Sequence, residues 1–334
     1  MFNARLLRAI FFATLSLELP LGAQDLNVYR GTQVSPQLER IYERGLRFLV
    51  AAQTDEGSFP GNYGNEPATT ALAMLAMFAH GDDPNYGPYA KSIRRSLDYI
   101  LKHADEKTGY VGSSMYNHGF GTLALAEAYG AVQDERIGPA LKRAVELILT
   151  SQEKNRFKAW RYSPDAKDAD STVSGACFVA LAAARNAGLR VPDTAIDGAL
   201  KFYTDCQNVG TGGIGYMPGS GGSGMATTAI GVAVYAYARK KDQPTFTKAF
   251  KTLKNSGEDG GGAYPFYYEY YASQALFQSD VKEWSGWNDK RVQRLAETQN
   301  DDGSWDGSLG QPLSTSFGLL SIALGYRYLP IYER

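Results

Sequence analysis

The sequence predicts an all-α fold, an α/α toroid (an α6/α6 barrel) built from six helix-pair repeats. Three observations predict it. Glycine-bearing turns recur through the 334 residues. Helices of two different characters alternate between those turns. The last apolar helix is as apolar as those in the middle of the chain, as expected if the ends of the array meet.

The turns fall at 53–59, 105–110, 152–160, 207–216, 257–264 and 299–305. Each is followed by a small apolar stretch rich in Thr, Ser and Ala. Aligned on Thr70, Thr122, Ser174, Thr228, Ala272 and Thr315, these stretches repeat about every 43–54 residues.

Taken in order, the chain opens with Arg5 and Arg8, an apolar run over 9–17 and Leu21-Gly22-Ala23 before Gln24. This is the pattern of a secretory leader over 1–23, too short to span a membrane. A linker over 24–35 and one toroid domain over 36–334 follow, and the protein is expected outside the cytoplasm, periplasmic or extracellular.

The first helix of each pair is amphipathic. In 38–51, Ile41, Leu46, Phe48 and Leu49 lie among Glu39, Arg40, Glu43, Arg44 and Arg47. Residues 140–149 read the same way, so each such helix has a core face and a wet face. The second helix is apolar nearly all round, at 70–79, 122–129, 175–184, 227–238 and 316–324, and must be buried on every side. The dry helices are expected to form an inner barrel and the amphipathic ones an outer wall. An open solenoid would leave Phe317 and Leu320 in water.

With a net charge of −1 and no basic block, nucleic acid and anionic membranes are poor partners. The three histidines, His80, His103 and His118, are widely separated and match no zinc spacing. No metal or cofactor is expected. Cys177 and Cys206 could pair or remain free thiols. The glycine-rich 210–224 stretch contains no Walker sequence.

The turns Gln53-x-x-Glu56-Gly57-x-Phe59 and Gln299-x-x-Asp302-Gly303-x-Trp305 resemble the Gln/Trp repeat of the terpene cyclase and protein prenyltransferase superfamily of α/α toroids. Gln152 with Trp160, and Gln207 with Tyr216, read as stretched copies. In such a turn the glutamine ends the outer helix and the aromatic packs over the turn, so Phe59, Trp160 and Trp305 are expected to be structural. More closely, the chain is similar to exported bacterial proteins made of prenyltransferase/squalene-cyclase repeats. The residues that carry this are Met115-Tyr116-Asn117-His118-Gly119, Trp160-Arg161-Tyr162, 168–174 and the 267–275 stretch. No activity follows from that likeness.

Asp168-Ala169-Asp170-Ser171-Thr172 resembles the Asp-x-Asp-Asp-Thr motif of squalene-hopene-type cyclases, with Ser171 at the third acid. The resemblance implies Asp170 as the acid that protonates an alkene and Asp168 as its partner, chemistry that requires a neutral acid among apolar walls. Asp170 or Ser171 equally suits a plain N-cap for the helix that follows. His118, at an inner-helix entrance, is a candidate acid, base or ligand, or else is hydrogen-bonded to a loop carbonyl.

Tyr116, Arg161, Tyr162, Tyr267, Tyr268 and Tyr271 are the candidate substrate-binding residues. Consecutive tyrosines cannot share one face, so some line the mouth and others pack between the rings. An aromatic wall suits a carbocation and suits a sugar equally.

The expected partner is therefore a small hydrophobic or glycan ligand. Three functions compete. The first is an isoprenoid cyclase-like reaction at Asp170. The second is a polysaccharide lyase or hydrolase, with Tyr116 or Tyr162 as acid and base and His118 and Arg161 neutralising a uronate. The third is a non-catalytic binding module. A deep dry cavity favours the first, an open charged groove the second, and a filled shallow mouth the third. In each case the candidate residues are expected to converge at one end of the barrel.

Overall fold

The computed structural model describes residues 34–62, 64–255 and 261–332. The leader expected over 1–23 lies outside these residues, as do most of the expected 24–35 linker and part of the 257–264 turn. Among the described residues there are twelve α-helices and isolated bridges but no strand. The outer six are α1 (Pro36–Ala52), α3 (Ala90–Lys102), α5 (Ile137–Lys154), α7 (Asp193–Asp205), α9 (Pro244–Lys254) and α11 (Val281–Thr298). The inner six are α2 (Pro67–His80), α4 (Met115–Ala128), α6 (Ser171–Asn186), α8 (Met225–Tyr237), α10 (Pro265–Ser279) and α12 (Gln311–Ile322).

Each inner helix packs on the inner helices of the neighbouring repeats, and α12 packs on α2, so the ring is closed. Outside it, α1 receives both α11 and α12. Phe317 and Leu320 are buried, as closure requires. The outer helices bury one stripe each, such as Leu38, Ile41, Tyr42, Leu46 and Leu49 of α1. Among the described residues no helix is long and apolar enough to cross a membrane.

In the first, third, fourth and sixth turns one glutamine side chain ties the turn to the next outer helix. Gln53 Nε2 donates to the Gly57 carbonyl of its own turn and to the Ser92 carbonyl of the next outer helix, each at 3.0 Å. Gln152 does the same to Lys158 and Ala195, and Gln207 to Gly212 and Thr245. Gln299 holds Gly303 and reaches Ile41 of α1 at 2.9 Å, which ties the sixth repeat to the first. Gly57 and Gly303 both have φ of +93°, open to glycine without strain. A Cβ on either would also overlap a backbone carbonyl of the next outer helix, Arg95 or Arg44.

The turn aromatics are structural. Trp160 and Trp305 are buried, and their indole N–H groups donate to Ile148 and Leu295 carbonyls at the ends of the preceding outer helices. Their backbone N–H groups are received by Ser174 and Thr315 of the inner helices. In the fourth repeat the equivalent bond runs from Ile214 to Thr228. Ile214, not Tyr216, is therefore the fourth turn's packing residue, and the sequence pairing of Gln207 with Tyr216 is corrected.

The two ends of the barrel differ. The connections entering the inner helices are long and those leaving them short, so the mouth lies at the inner N-termini. The opposite end is crossed by a 3₁₀ turn, Pro330–Tyr332. There Gln278 of α10 donates to the Tyr332 carbonyl, and the Ile331 N–H donates to Glu127 of α4. Ile331 and Tyr332 are buried, which leaves the mouth as the approach to the barrel.

Candidate functional site

The third repeat supplies the centre of the mouth. Asp170 is the N-cap of α6, its extended backbone letting Oδ1 turn back onto the helix. That oxygen accepts from the Thr172 and Val173 N–H groups, both at 2.9 Å, and from the Thr172 hydroxyl at 2.6 Å. Its other oxygen, Oδ2, is buried and has no hydrogen-bond partner. Arg161 faces it, with Nε 3.6 Å from Oδ2. The same guanidinium pairs with Asp168 Oδ2 at 3.1 Å and donates to Met217 Sδ at 3.4 Å.

Arg161 lies between two aromatic rings, 5.4 Å from the centroid of Tyr162 and 5.6 Å from that of Tyr216. The two phenol oxygens meet at 3.1 Å. Tyr162 and Tyr216 are 47% and 36% exposed, the outermost aromatic surface of the group. They stand at equivalent places, each two residues after its turn's packing residue. Each backbone carbonyl accepts the first N–H of the previous inner helix, Met115 to Tyr162 and Ser171 to Tyr216, both at 2.9 Å. This bond orients the loop so that the side chain faces the mouth.

Deeper, the Tyr116 and Tyr267 hydroxyls approach to 3.4 Å, and the rings of Tyr116 and Tyr162 lie 6.0 Å apart. Burial raises the pKa of both Tyr116 and Tyr267, with the hydroxyl of Thr172 working against it at Tyr116. Tyr267 packs edge-on against Tyr271 and Phe317. Phe120 of α4 reaches Tyr270 of α10 and Phe317 of α12, with centroids 6.3 and 6.2 Å apart. Helices α4 and α10 stand opposite each other in the ring. Side chains that touch between them fill the barrel axis at two levels.

Of the sequence candidates, Tyr116, Arg161, Tyr162, Asp168, Asp170 and Tyr267 come together at the mouth. Tyr271 lies in the aromatic filling below, its hydroxyl buried. Tyr268 is buried one position round the helix from Tyr267.

His118 is a correction. Its ring is fully buried and turned toward the outer wall. Nδ1 accepts from the Val111 N–H at 3.1 Å, so Nε2 carries the proton and donates to the Ala144 carbonyl at 3.0 Å. Both nitrogens are used, and burial lowers the pKa to about 4. The second turn has His103 where the first, third, fourth and sixth have glutamine, and His103 bonds back to Tyr99 of its own helix. His118 does the glutamine's work, binding turn to outer helix.

Sequence reasoning missed Tyr216, Met217 and Phe120. Tyr216 was hidden by its likeness to a repeat aromatic. Glu269, also buried, faces the outer wall and pairs with Arg291 at 2.6 Å and Arg294 at 3.3 Å. Cys177 and Cys206 are buried free thiols, and burial pushes both pKa values up. Among the described residues no cluster of three or more His, Cys, Asp or Glu could hold a metal.

Solved structures share this architecture. An inactive variant of the α-1,6-mannanase GH76A of Salegentibacter, in complex with α-1,6-mannotriose, superposes with a TM-score of 0.63 at 11% identity, covering 86% of this chain and 99% of that one. A family 76 glycoside hydrolase from a bovine Bacteroides thetaiotaomicron strain gives 0.64 at 9% identity over 87% and 78%. A single-residue variant of the type II terpene cyclase MstE of Scytonema, in complex with geranylgeranyl dihydroxybenzoate, gives 0.59 at 17% identity over 88% and 98%. At these identities the likeness is one of fold. No curated protein sequence matches. Over residues 39–313 the chain matches the profile of one family, and it belongs to that family, described as a domain of unknown function (DUF6288).

Proposed function

We propose that the toroid binds a glycan across the mouth of its inner barrel, with Tyr162 and Tyr216 as the stacking surface and Arg161, Asp168 and Asp170 as the polar readers. The carrying observation is the filled axis. With Tyr116, Phe120, Tyr267, Tyr270 and Phe317 in contact across the ring, a ligand lies over the mouth rather than down the barrel. There it meets exposed phenol rings beside a guanidinium–carboxylate pair, whose planar forks suit the adjacent hydroxyls of a sugar. The mannanase neighbour holds an oligosaccharide in its complex, which agrees with this reading.

The isoprenoid reading rests on the 168–172 motif and the terpene cyclase neighbour. It needs a neutral acid and a deep apolar chamber. Here the two carboxylates share Arg161 and the chamber is filled, so the glycan reading is favoured. Asp168 and Asp170 are the side chains at the mouth suited to act as acid and base on a bound glycan, since both His118 ring nitrogens are taken by backbone groups. The reading places the toroid, from residue 36 onward, outside the cytoplasm after loss of residues 1–23.

Calorimetric titration of the protein recovered from the exported fraction, its N-terminus read by mass spectrometry, tests this. Neutral oligosaccharides, uronate oligosaccharides and a C20 isoprenoid are compared. Glycan should bind, and Tyr216→Ala should weaken it about tenfold, the worth of one aromatic contact, without a shift in melting temperature. Isoprenoid binding in place of glycan, or a Tyr216→Ala variant that binds glycan like the parent, would sink the reading. Retention of residues 1–23 in the cytoplasm would sink the export part alone.

A further inference from the structure

We propose that Arg161, clasped between Tyr162 and Tyr216, is a movable cover over Asp170, and that opening it presents Asp170 Oδ2 as an acceptor for a ligand hydroxyl. The inference rests on the glycan reading for its ligand class, but not for the motion itself.

The argument starts from the unequal use of the two carboxylate oxygens. A buried N-cap needs one oxygen, and Oδ1 takes all three available donors. Oδ2 is left wholly buried with no hydrogen bond, and Arg161 Nε, at 3.6 Å, is too far to supply one. Buried polar atoms are nearly always paired, and an exception calls for an explanation. A cap alone would be served as well by Ser or Asn. Neither explains a second, ionisable oxygen aimed at the mouth.

The cover is built from weak parts. The Arg161–Asp168 pair is at the surface, Asp168 being half exposed, and such pairs hold little. The phenol pair is partly exposed and shares one hydrogen bond. Apart from its 3.6 Å pairing with Asp170 itself, Arg161 is held by Met217, which comes from an exposed loop in which Gly219, Gly221, Gly222 and Gly224 follow within a few residues. Gly219 and Gly221 have positive φ, and an added Cβ at either would meet nothing within 4 Å. No part of the barrel packs down on this loop tip. By contrast α6, which carries Asp170, is buried along its length. The cover can therefore move while the carboxylate stays fixed.

Carboxyl labelling tests the motion without any ligand. The intact protein is treated with a water-soluble carbodiimide and an amine, and Asp168 and Asp170 are resolved by tandem mass spectrometry. Asp168 should label readily in every variant and Asp170 slowly in the parent. In Arg161→Ala and Tyr216→Ala, Asp170 labelling should rise at least about tenfold, as expected when a weak contact is removed; Tyr216→Ala, which keeps the Arg161–Asp170 pair, should do so with the melting temperature unchanged. Asp170 remaining as protected in both variants as in the parent overturns the cover.

The acceptor role is read with Asp170→Asn, which keeps an oxygen for the cap but replaces Oδ2 by a donor. Glycan affinity should fall about tenfold or more, as for a lost hydrogen bond to a charged group, with thermal stability retained. Unchanged affinity overturns the acceptor role. Absence of any glycan binding in the parent, with labelling as expected, would remove the ligand class and leave the cover standing.

Discussion

His118 enters α4 beside the mouth in the chain, yet its ring is consumed by two backbone groups of the outer wall. The consequence is a pH dependence of stability. The folded protein keeps the ring neutral down to about 4, whereas an unfolded histidine takes up a proton near 6.5. Between these values the unfolded chain binds more protons, so stability is fully present above about 6.5 and declines as pH falls toward 4. The shift corresponds to at most about 3 kcal/mol. Urea unfolding at pH 7 and pH 4.5 should show a loss of this order, and His118→Gln should flatten it. A variant with the parent's pH dependence would remove His118 as the cause. Asp170 is divided in a comparable way, one oxygen belonging to the helix and the other to the mouth.

At the scale of the element, each turn is a clamp between an outer helix, an inner helix and the next outer helix. The glutamine supplies donors, the glycine the left-handed backbone, and the aromatic the filling. Positions depart from the pattern where another residue can do the work. In the third turn Lys158 has φ of +52° where glycine stands elsewhere. In the second, His118 replaces the glutamine from a different helix. Trp305 has no such substitute. It is buried, it donates to Leu295, and its turn holds the ring seam. Trp305→Ala should cost about 3–5 kcal/mol, as for other buried aromatics. Thermal unfolding checks this, and a melting temperature equal to the parent's would show the tryptophan to be dispensable.

For the whole molecule, closure sets both ends of the barrel. The seam joins Gln299 to α1, and the 3₁₀ turn at Pro330–Tyr332 is held by α4 and α10 across the far opening. Tyr332 is buried there among other tyrosines, and its pKa is raised by burial. Tyr332→Ala should destabilise the fold by about 3–5 kcal/mol. Glycan affinity at the mouth should stay within about twofold, because distant sites act independently. Denaturant unfolding and titration of the same sample would show it, and a large affinity loss would mean that the two ends are coupled.

The alternation of dry and wet helices, the recurring turns and the apolar last helix were enough, without coordinates, to determine the helix-pair repeat, its number and its closure. These are consequences of local pattern, since a helix with no polar face has to be buried wherever it lies. The nearness of Asp168, Asp170 and Arg161 was also legible, because they sit on one connection entering α6. Side-chain direction was not. Tyr162 and Tyr216 face the mouth because a neighbouring inner helix donates a backbone bond to each carbonyl, and His118 faces away because an outer helix offers it an acceptor. Whether the barrel was hollow depended on aromatic side chains from non-adjacent helices meeting at its axis. Those contacts join residues about 150–200 positions apart in the chain, and only packing brings them together.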